Sequence, residues 1–428
     1  MSDSDSATIK SPVSNIDGKE AGEEGVVLQK ANASTWSAYI NVVCVLAGAG
    51  TLGMPYALKV SGWVGLVLLA LATVMSIYGN HILIKCLYYD GKTRLREFPD
   101  IGHAAFGWIG RAAVFIFYNS ILLGGPTLYL ILSGQNIKLL VDPLGVNISL
   151  VGWICICAAV MAVPFTIMKT MREVAFMSIF GALATFITVF IVVGVSLKHL
   201  PDLPPQPTKP YDAPQLPLTL ATFAFSYGGN VTFPHIEESM RNKKAWPRVI
   251  TLSILSVALI YFLCSVVGYY VYGDTVKSPV YLSNPDGPAK VISIIIITVH
   301  VLLAIPLFLT SFALQIEAIF NIASPPRTRV VEFGLRAIVR IASMALAAAI
   351  ACIVPHFNDV MALLGGFSDA MLTFVLPVAF YIKLFGWRSI NKLELVWCII
   401  VLVIGLIVTV FGTIDAIENL YKDFHGLK

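Results

Sequence analysis

Apolar residues run along this chain in long blocks separated by short polar breaks. Eleven blocks are long enough to predict membrane-spanning helices, at residues 36–58, 62–87, 111–140, 148–168, 174–197, 217–239, 248–272, 289–320, 330–354, 359–382 and 393–420. A bilayer core about 30 Å thick takes roughly 20 apolar residues per helix. The connectors carry Pro, Gly, Asn and Asp. Residues 1–33 are polar and lack aromatics, which predicts a disordered tail. That tail has no apolar core and so does not read as a cleaved signal peptide. The longest connector, 198–216, holds six prolines (Pro201, Pro204, Pro205, Pro207, Pro210 and Pro214). It predicts an extended linker between two halves.

Composition narrows the class. Of 428 residues, 57% are hydrophobic and 13% charged, against about 25% charged in a soluble domain. A soluble enzyme, a nucleic-acid binder and a secreted disulfide protein are disfavoured together. The net charge of +4 says nothing about nucleic acid, because the basic residues sit in loops; it is the apolar runs that leave no nucleic-acid partner expected. All seven cysteines lie inside apolar stretches. Cys155 and Cys157 are two apart, on different helix faces, and read as packing residues; no metal site and no cofactor is expected. Charge also orients the chain. With the N-terminus cytoplasmic, eighteen Lys and Arg fall on the inner side and eight on the outer, as the positive-inside rule requires. An odd span count then places the C-terminus opposite.

Two spans carry breakers at mid-membrane. Span one contains Gly48-Ala49-Gly50-Thr51-Leu52-Gly53-Met54-Pro55, and span six contains Ser226-Tyr227-Gly228-Gly229-Asn230-Val231-Thr232-Phe233-Pro234. Glycine frees the backbone and proline removes a donor. Backbone amides without helical partners are tolerated at membrane depth only where they line a cavity. A kinked helix with close glycine packing would explain either span alone. In both, however, a proline follows a glycine by five residues, and the two spans open successive sets of five. Matching interruptions in two halves point to an inverted-repeat transporter site. Half-helix N-termini suit a carboxylate, and unwound carbonyls suit an ammonium. A site with both matches a zwitterion, an amino acid.

The chain resembles the amino acid/auxin permease family. The matching stretches are Gly48 to Ala57 with Gly62-Trp63, then Phe98-Pro99-Asp100-Ile101-Gly102 with Ala105-Phe106-Gly107, then Phe223 to Pro234 with Glu238-Ser239-Met240-Arg241-Asn242. The resemblance spans residues 36 to about 420. It implies an all-α membrane protein of the LeuT-type fold, with broken helices one and six. Repeat one would be 36–197, repeat two 217–382, and 393–420 an extra eleventh helix. Residues 34–428 would be the transporter domain. In LeuT-type transporters an adjacent hydroxyl pair in span eight helps bind sodium, and Thr310 with Ser311 stand there. Fungal and plant members commonly use protons instead. Span eight departs from the family pattern, where a further proline is common after Pro306-Leu307.

Candidate site residues follow. Gly48, Ala49, Gly50, Thr51 and Leu52 of span one would bind substrate with Ser226, Tyr227, Gly228, Gly229 and Asn230 of span six. Span three offers Tyr118, Asn119, Thr127 and Tyr129, of which Thr127 and Tyr129 lie near mid-depth. Buried ionisable residues are function candidates by default, so Asp369 and His300 join Thr310 and Ser311 as ion-coupling candidates. The alternative for Asp369 is a carboxylate held by hydroxyls such as Ser368. For the hydroxyls it is bonding back to their own helix. Glu237, Glu238 and Glu317 are expected in gate ion pairs with Arg241, Lys243 or loop arginines. The sequon Asn147-Ile148-Ser149 sits close to the membrane. Asn32-Ala33-Ser34 falls on the inner side and Asn230-Val231-Thr232 within a span, so neither should be modified.

Together these predict an integral, multi-pass secondary carrier for neutral amino acids, driven by protons, in the plasma membrane or a vacuolar or endolysosomal membrane. Its partners would be the amino acid, the coupling ion and the bilayer. A vacuolar or lysosomal exporter, a sodium-coupled carrier, a channel-like facilitator and an amino-acid sensor with little flux remain open. No phosphate-binding glycine-lysine motif supports a nucleotide-driven pump.

Overall fold

The computed structural model describes residues 33–91, 93–167, 171–322 and 328–425. The polar tail up to residue 32, Asn32 of the first sequon, and Lys92, Lys169, Arg327 and Lys428 lie outside the described residues. The regular secondary structure of the described residues is helical, apart from one parallel backbone bridge between Ala33 and Met240.

Helix α1 (Thr35–Leu46) starts where Ser34 accepts a bond from the Ser37 amide at 3.0 Å. It stops at Leu46, since Gly48 is extended (φ −107°, ψ −165°). A 3-10 turn (Ala49–Gly53) leads into α2 (Met54–Ser61), and the two parts are bent by 47°. Next come α3 (Gly65–Leu87), α4 (Phe98–Val141), α5 (Leu150–Ile167) and α6 (Met171–His199). The stretch expected before span three is itself helical: α4 begins at Phe98 and is kinked at Phe106–Gly107. Backbone packs on backbone there, since a Cβ on Gly102 would lie 2.5 Å from the Gly110 carbonyl oxygen.

The second half opens with α7 (Leu216–Ser226) and α8 (Phe233–Ser239), separated by six non-helical residues. Then follow α9 (Trp246–Tyr272), α10 (Pro288–Ile319) and α11 (Arg329–Ile353). Helices α12 (Phe357–Leu364) and α13 (Leu376–Phe385) are joined through π turns at Gly365–Asp369 and Met371–Val375. Helices α14 (Lys392–Ile407) and α15 (Thr413–His425) are joined through another at Val408–Gly412. Among the described residues nine helices are long and apolar enough to cross a membrane, or ten with the bent α1–α2 pair. The sixth run expected at 217–239 is not among them, because α7 has 11 residues and α8 has 7.

Two cores hold the bundle. One gathers side chains of α1, α3, α7, α9 and α13. The other gathers α4, α5, α6, α10 and α11. The outward faces stay apolar, as at Val67, Leu259, Ile338 and Leu393, which suits lipid contact.

The proline-rich connector is anchored at both flanks. Trp63 and Val64 amides donate to the carbonyls of Lys209 and Pro210 at 3.1 and 3.0 Å. Asp274 N donates to Pro207 O at 3.0 Å, and Lys209 N to the Tyr269 hydroxyl at 2.8 Å. Gly62 (φ +79°) and Gly273 (φ +49°) turn the chain at these contacts, a backbone region that glycine enters without a Cβ penalty. The segment is a brace across the end of the bundle opposite Ala33.

Candidate functional site

Helices α1 and α7 end facing each other between the two cores. Their last carbonyls, Leu46 O and Ser226 O, both lie 2.7 Å from the hydroxyl of Tyr261 on α9. One hydroxyl proton serves one acceptor at a time, so one carbonyl always keeps spare accepting capacity. The breaks touch directly as well. A Cβ on Gly50 would sit 2.5 Å from Ser226 Oγ. Gly229 takes φ +124°, with its own Cβ position against Val45.

The break in the second half is the looser one. Thr232 N and Phe233 N donate to Gly229 O and Asn230 O. The amides of Gly229, Asn230 and Val231 donate to no backbone carbonyl among the described residues. Asn230 ties the segment to a π turn: its side-chain amide donates to Leu372 O, while its Oδ1 has no partner.

The expected site residues divide. Tyr129 comes to the breaks, its hydroxyl 3.7 Å from a Cβ position on Gly48. Its ring meets Phe308 edge-on at 5.8 Å and lies 6.5 Å from the His300 ring. Ser226 faces Gly50, although its hydroxyl bonds back to Thr222 O at 2.9 Å. Ala49, Thr51 and Leu52 are buried in the turn after α1. Two residues stand apart. The Thr127 hydroxyl lies between Leu123 O (3.0 Å) and Ala347 O (3.3 Å) on α11. The Tyr227 hydroxyl is 2.7 Å from Thr73 Oγ1, and its ring is fully buried beside Tyr261. Both serve packing between helices in this conformation.

Asp369 lies against the second break, so close that a Cβ on Gly228 would strike its carboxylate. It is 3% exposed. Among the described residues no hydrogen bond or ion pair reaches it, and the Ser368 hydroxyl is also unpartnered. Ser368 therefore does not hold the carboxylate. His300 packs on Gly181 of α6, and its Nε2 is buried without a partner. Thr310 Oγ1 is likewise buried and unpartnered, whereas the Ser311 hydroxyl bonds back to Leu307 O at 3.3 Å. The adjacent hydroxyls thus have different surroundings. No group of three His, Cys, Asp or Glu placed to hold a metal ion occurs among the described residues.

Access is unequal at the two ends. Opposite Ala33 lies a cavity of about 650 Å³ lined by Lys59, Lys209, Lys422, Asp212, Asp274 and Asp359. Thr222 and Met361 also line it, one turn from Ser226 and packed against Gly53. At the Ala33 end ion pairs tie the elements together. Arg94 pairs with Glu237 at 3.0 Å and with Glu238 at 3.7 Å, and it donates to Pro234 O at 2.6 Å. Tyr88 donates to Glu237 at 2.6 Å. Burial, then the bond to Glu237, pushes the Tyr88 phenol up to about 12, so it keeps its proton at neutral pH. Glu317 pairs with Arg340 (3.1 Å) and Arg336 (3.4 Å) of α11. The acidic residues expected in ion pairs find them with Arg94, Arg336 and Arg340, not with Arg241 or Lys243.

Sequence patterns missed Tyr261 and Phe308, whereas the pairs of Glu237 and Glu238 with Arg94 are the expected ones with a loop arginine. Tyr261 is a single hydroxyl inside Val257-Ala258-Leu259-Ile260-Tyr261-Phe262-Leu263, which was the available signal. Phe308 offered none.

The profile of the family described as transmembrane amino acid transporter protein matches residues 31–418. Amino acid transporter AVT1J of Arabidopsis thaliana is 27% identical over 385 residues, covering 89% of each chain. The vesicular inhibitory amino acid transporter of Xenopus tropicalis is 28% identical, over 92% of this chain and 79% of its own. Among solved structures, a Na+-coupled sialic acid symporter in a substrate-bound outward-open state superposes with a TM-score of 0.54 at 14% identity, covering 90% of each chain. A nucleobase-cation-symport-1 family transporter in a closed conformation gives 0.54 at 13%, over 92% of this chain and 95% of its own. These structures share the LeuT-type helical fold. The chain belongs to the transmembrane amino acid transporter protein family.

Proposed function

We propose that the protein is a secondary carrier that moves a neutral amino acid together with a proton, by alternating access around the two breaks. The observation that carries this is the meeting of the breaks at Gly50 and Ser226, with Asp369 lodged against Gly228. The substrate ammonium would take the spare carbonyl capacity at Leu46 or Ser226, and Tyr129 would close over it. The carboxylate would face the amides of Gly229 to Val231. With no basic side chain paired to Asp369, the site has room for one net positive charge. A burial-starved carboxylate that meets a proton from one side and water from the other is a coupling device.

In this proposal α7 and α8 together make one further crossing, for eleven in all. Repeat one would be 36–197, repeat two 217–382, and 393–420 would be added outside the repeats. The N-terminus would be cytoplasmic. The likeness to a vesicular transporter supports an internal vesicular or endolysosomal membrane. The carrier would load from the side on which the cavity lies.

Proteoliposomes loaded with a panel of neutral amino acids, under an imposed proton or sodium gradient, test this. A proton gradient should drive accumulation, and Asp369→Asn should abolish it while sparing exchange without a gradient. Accumulation driven by sodium alone would shift the coupling role to the buried, unpartnered Thr310. No flux under either gradient would favour a sensor.

A further inference from the structure

Ala33 is held to the turn between α8 and α9 by two backbone bonds. Its amide donates to Ser239 O and its carbonyl accepts from Arg241 N, both at 3.0 Å. The chain before Ala33 is therefore delivered to that turn. The turn is basic: Arg241, Lys244 and Arg248 are exposed and Lys243 is half-buried. Among the described residues none of these four cations pairs with a carboxylate. The acidic residues of the adjoining α8, Glu237 and Glu238, pair with Arg94 instead. The preceding sequence has the opposite sign. Residues 17–24 carry Asp17, Glu20, Glu23 and Glu24 against one lysine, Lys19. The stretch from Glu24 to Ala33 reaches at most about 30 Å when extended. The basic turn lies within that reach, since Arg241 is itself bonded to Ala33. We propose that the acidic segment 17–24 docks on the basic face formed by Arg241, Lys243, Lys244 and Arg248, as a clasp across the α8–α9 turn. A single exposed ion pair contributes little. Here four carboxylates meet four cations, and the tether at Ala33 keeps them at high local concentration. Anionic phospholipid headgroups would suit the same cations, but only the tail is brought there by its own backbone bonds. The clasp depends on no particular substrate, coupling ion or direction of transport.

The full-length protein in detergent at low salt is treated with a water-soluble carbodiimide, which joins carboxylates to adjacent lysine amines. It is then digested and read by mass spectrometry. The expected result is amide links from Asp17, Glu20, Glu23 or Glu24 to Lys243 or Lys244, and none to the exposed Lys383 and Lys392. The links should be lost in about 1 M salt, where the screening length falls to about 3 Å. They should also be lost when Arg241→Glu and Arg248→Glu are combined, a variant that leaves both reacting lysines in place. The absence of links in the wild type, links spread over all four lysines, or links that persist in the salt or in the variant would each overturn the clasp. A mixture of isotopically labelled and unlabelled protein separates links within a chain from links between copies, and the latter would overturn it as well. In vesicles containing phosphatidylserine the links should persist; their loss there, with retention in phosphatidylcholine alone, would give the basic face to the membrane. Transport activity enters none of these outcomes, so a failure here is distinct from a failure of the carrier proposal.

Discussion

Single atoms decide the site. Adding side chain at Gly50 forces Ser226 aside, and overpacking of this kind costs about 1–3 kcal/mol. Gly50→Val should therefore abolish uptake while the protein still reaches the membrane; normal uptake by a well-expressed variant would remove the site from this position. Tyr261→Phe deletes the one hydroxyl that serves Leu46 O and Ser226 O. Two buried acceptors lose their shared donor, at about 1–3 kcal/mol. The expected outcome is a lower melting temperature in detergent together with impaired uptake. A variant that melts and transports normally would show that other contacts hold the breaks. The glycines of both breaks stood out because a proline follows a glycine by five residues in each, whereas the single prolines Pro126, Pro164 and Pro306 sit inside continuous helices. Tyr261 was not, because a tyrosine in an apolar run reads equally well as packing. The paired positions Thr310 and Ser311 show the complementary limit: adjacency in sequence puts the two side chains in different surroundings, about 100° apart around a helix.

At the scale of elements, helix α8 is held from outside. It has seven residues, too few to persist alone, and Arg94 together with the Ala33 bridge fixes it in place. Removing Arg94 leaves Glu237, 1% exposed, as a buried charge without its cation, which costs about 3–5 kcal/mol. Arg94→Ala should lower thermal stability and loosen the Ala33 end, and Glu237→Gln added to it should recover most of the stability. Equal melting temperatures for the single and double variants would mean that the pair does not hold this end. Element existence was legible in the long apolar runs. The kink in α4 and the anchoring of the proline-rich brace were not. Both depend on backbone-to-backbone contacts between distant glycines and carbonyls, which leave no pattern in hydropathy.

Across the whole molecule, the parity of spans fixes where the ends lie. The proposed eleven crossings put the two termini on opposite sides. Epitope tags at each end, probed in sealed and permeabilised vesicles, should require permeabilisation for one tag only. Two tags accessible from the same side would mean an even count. That the chain is a helical membrane protein was legible from hydropathy alone, since apolar blocks of span length have few other uses. The number of crossings was harder, because the sixth apolar run is divided into two helices of 11 and 7 residues, each shorter than a bilayer is thick.

The unpaired carboxylate of Asp369 also has an electrical consequence. In the proposed proton-coupled cycle a zwitterionic amino acid adds no net charge, so the loaded site with one proton on Asp369 would be neutral. In that cycle the empty site without its proton would be negative, since among the described residues no basic side chain pairs with Asp369. Membrane voltage then acts on the return of the empty carrier rather than on the loaded one. A unit charge crossing the full field is worth about 2.3 kcal/mol per 100 mV. In electrical recordings, substrate-driven currents should grow as the acidic side becomes more positive, and exchange of one amino acid for another should leave the voltage unfelt.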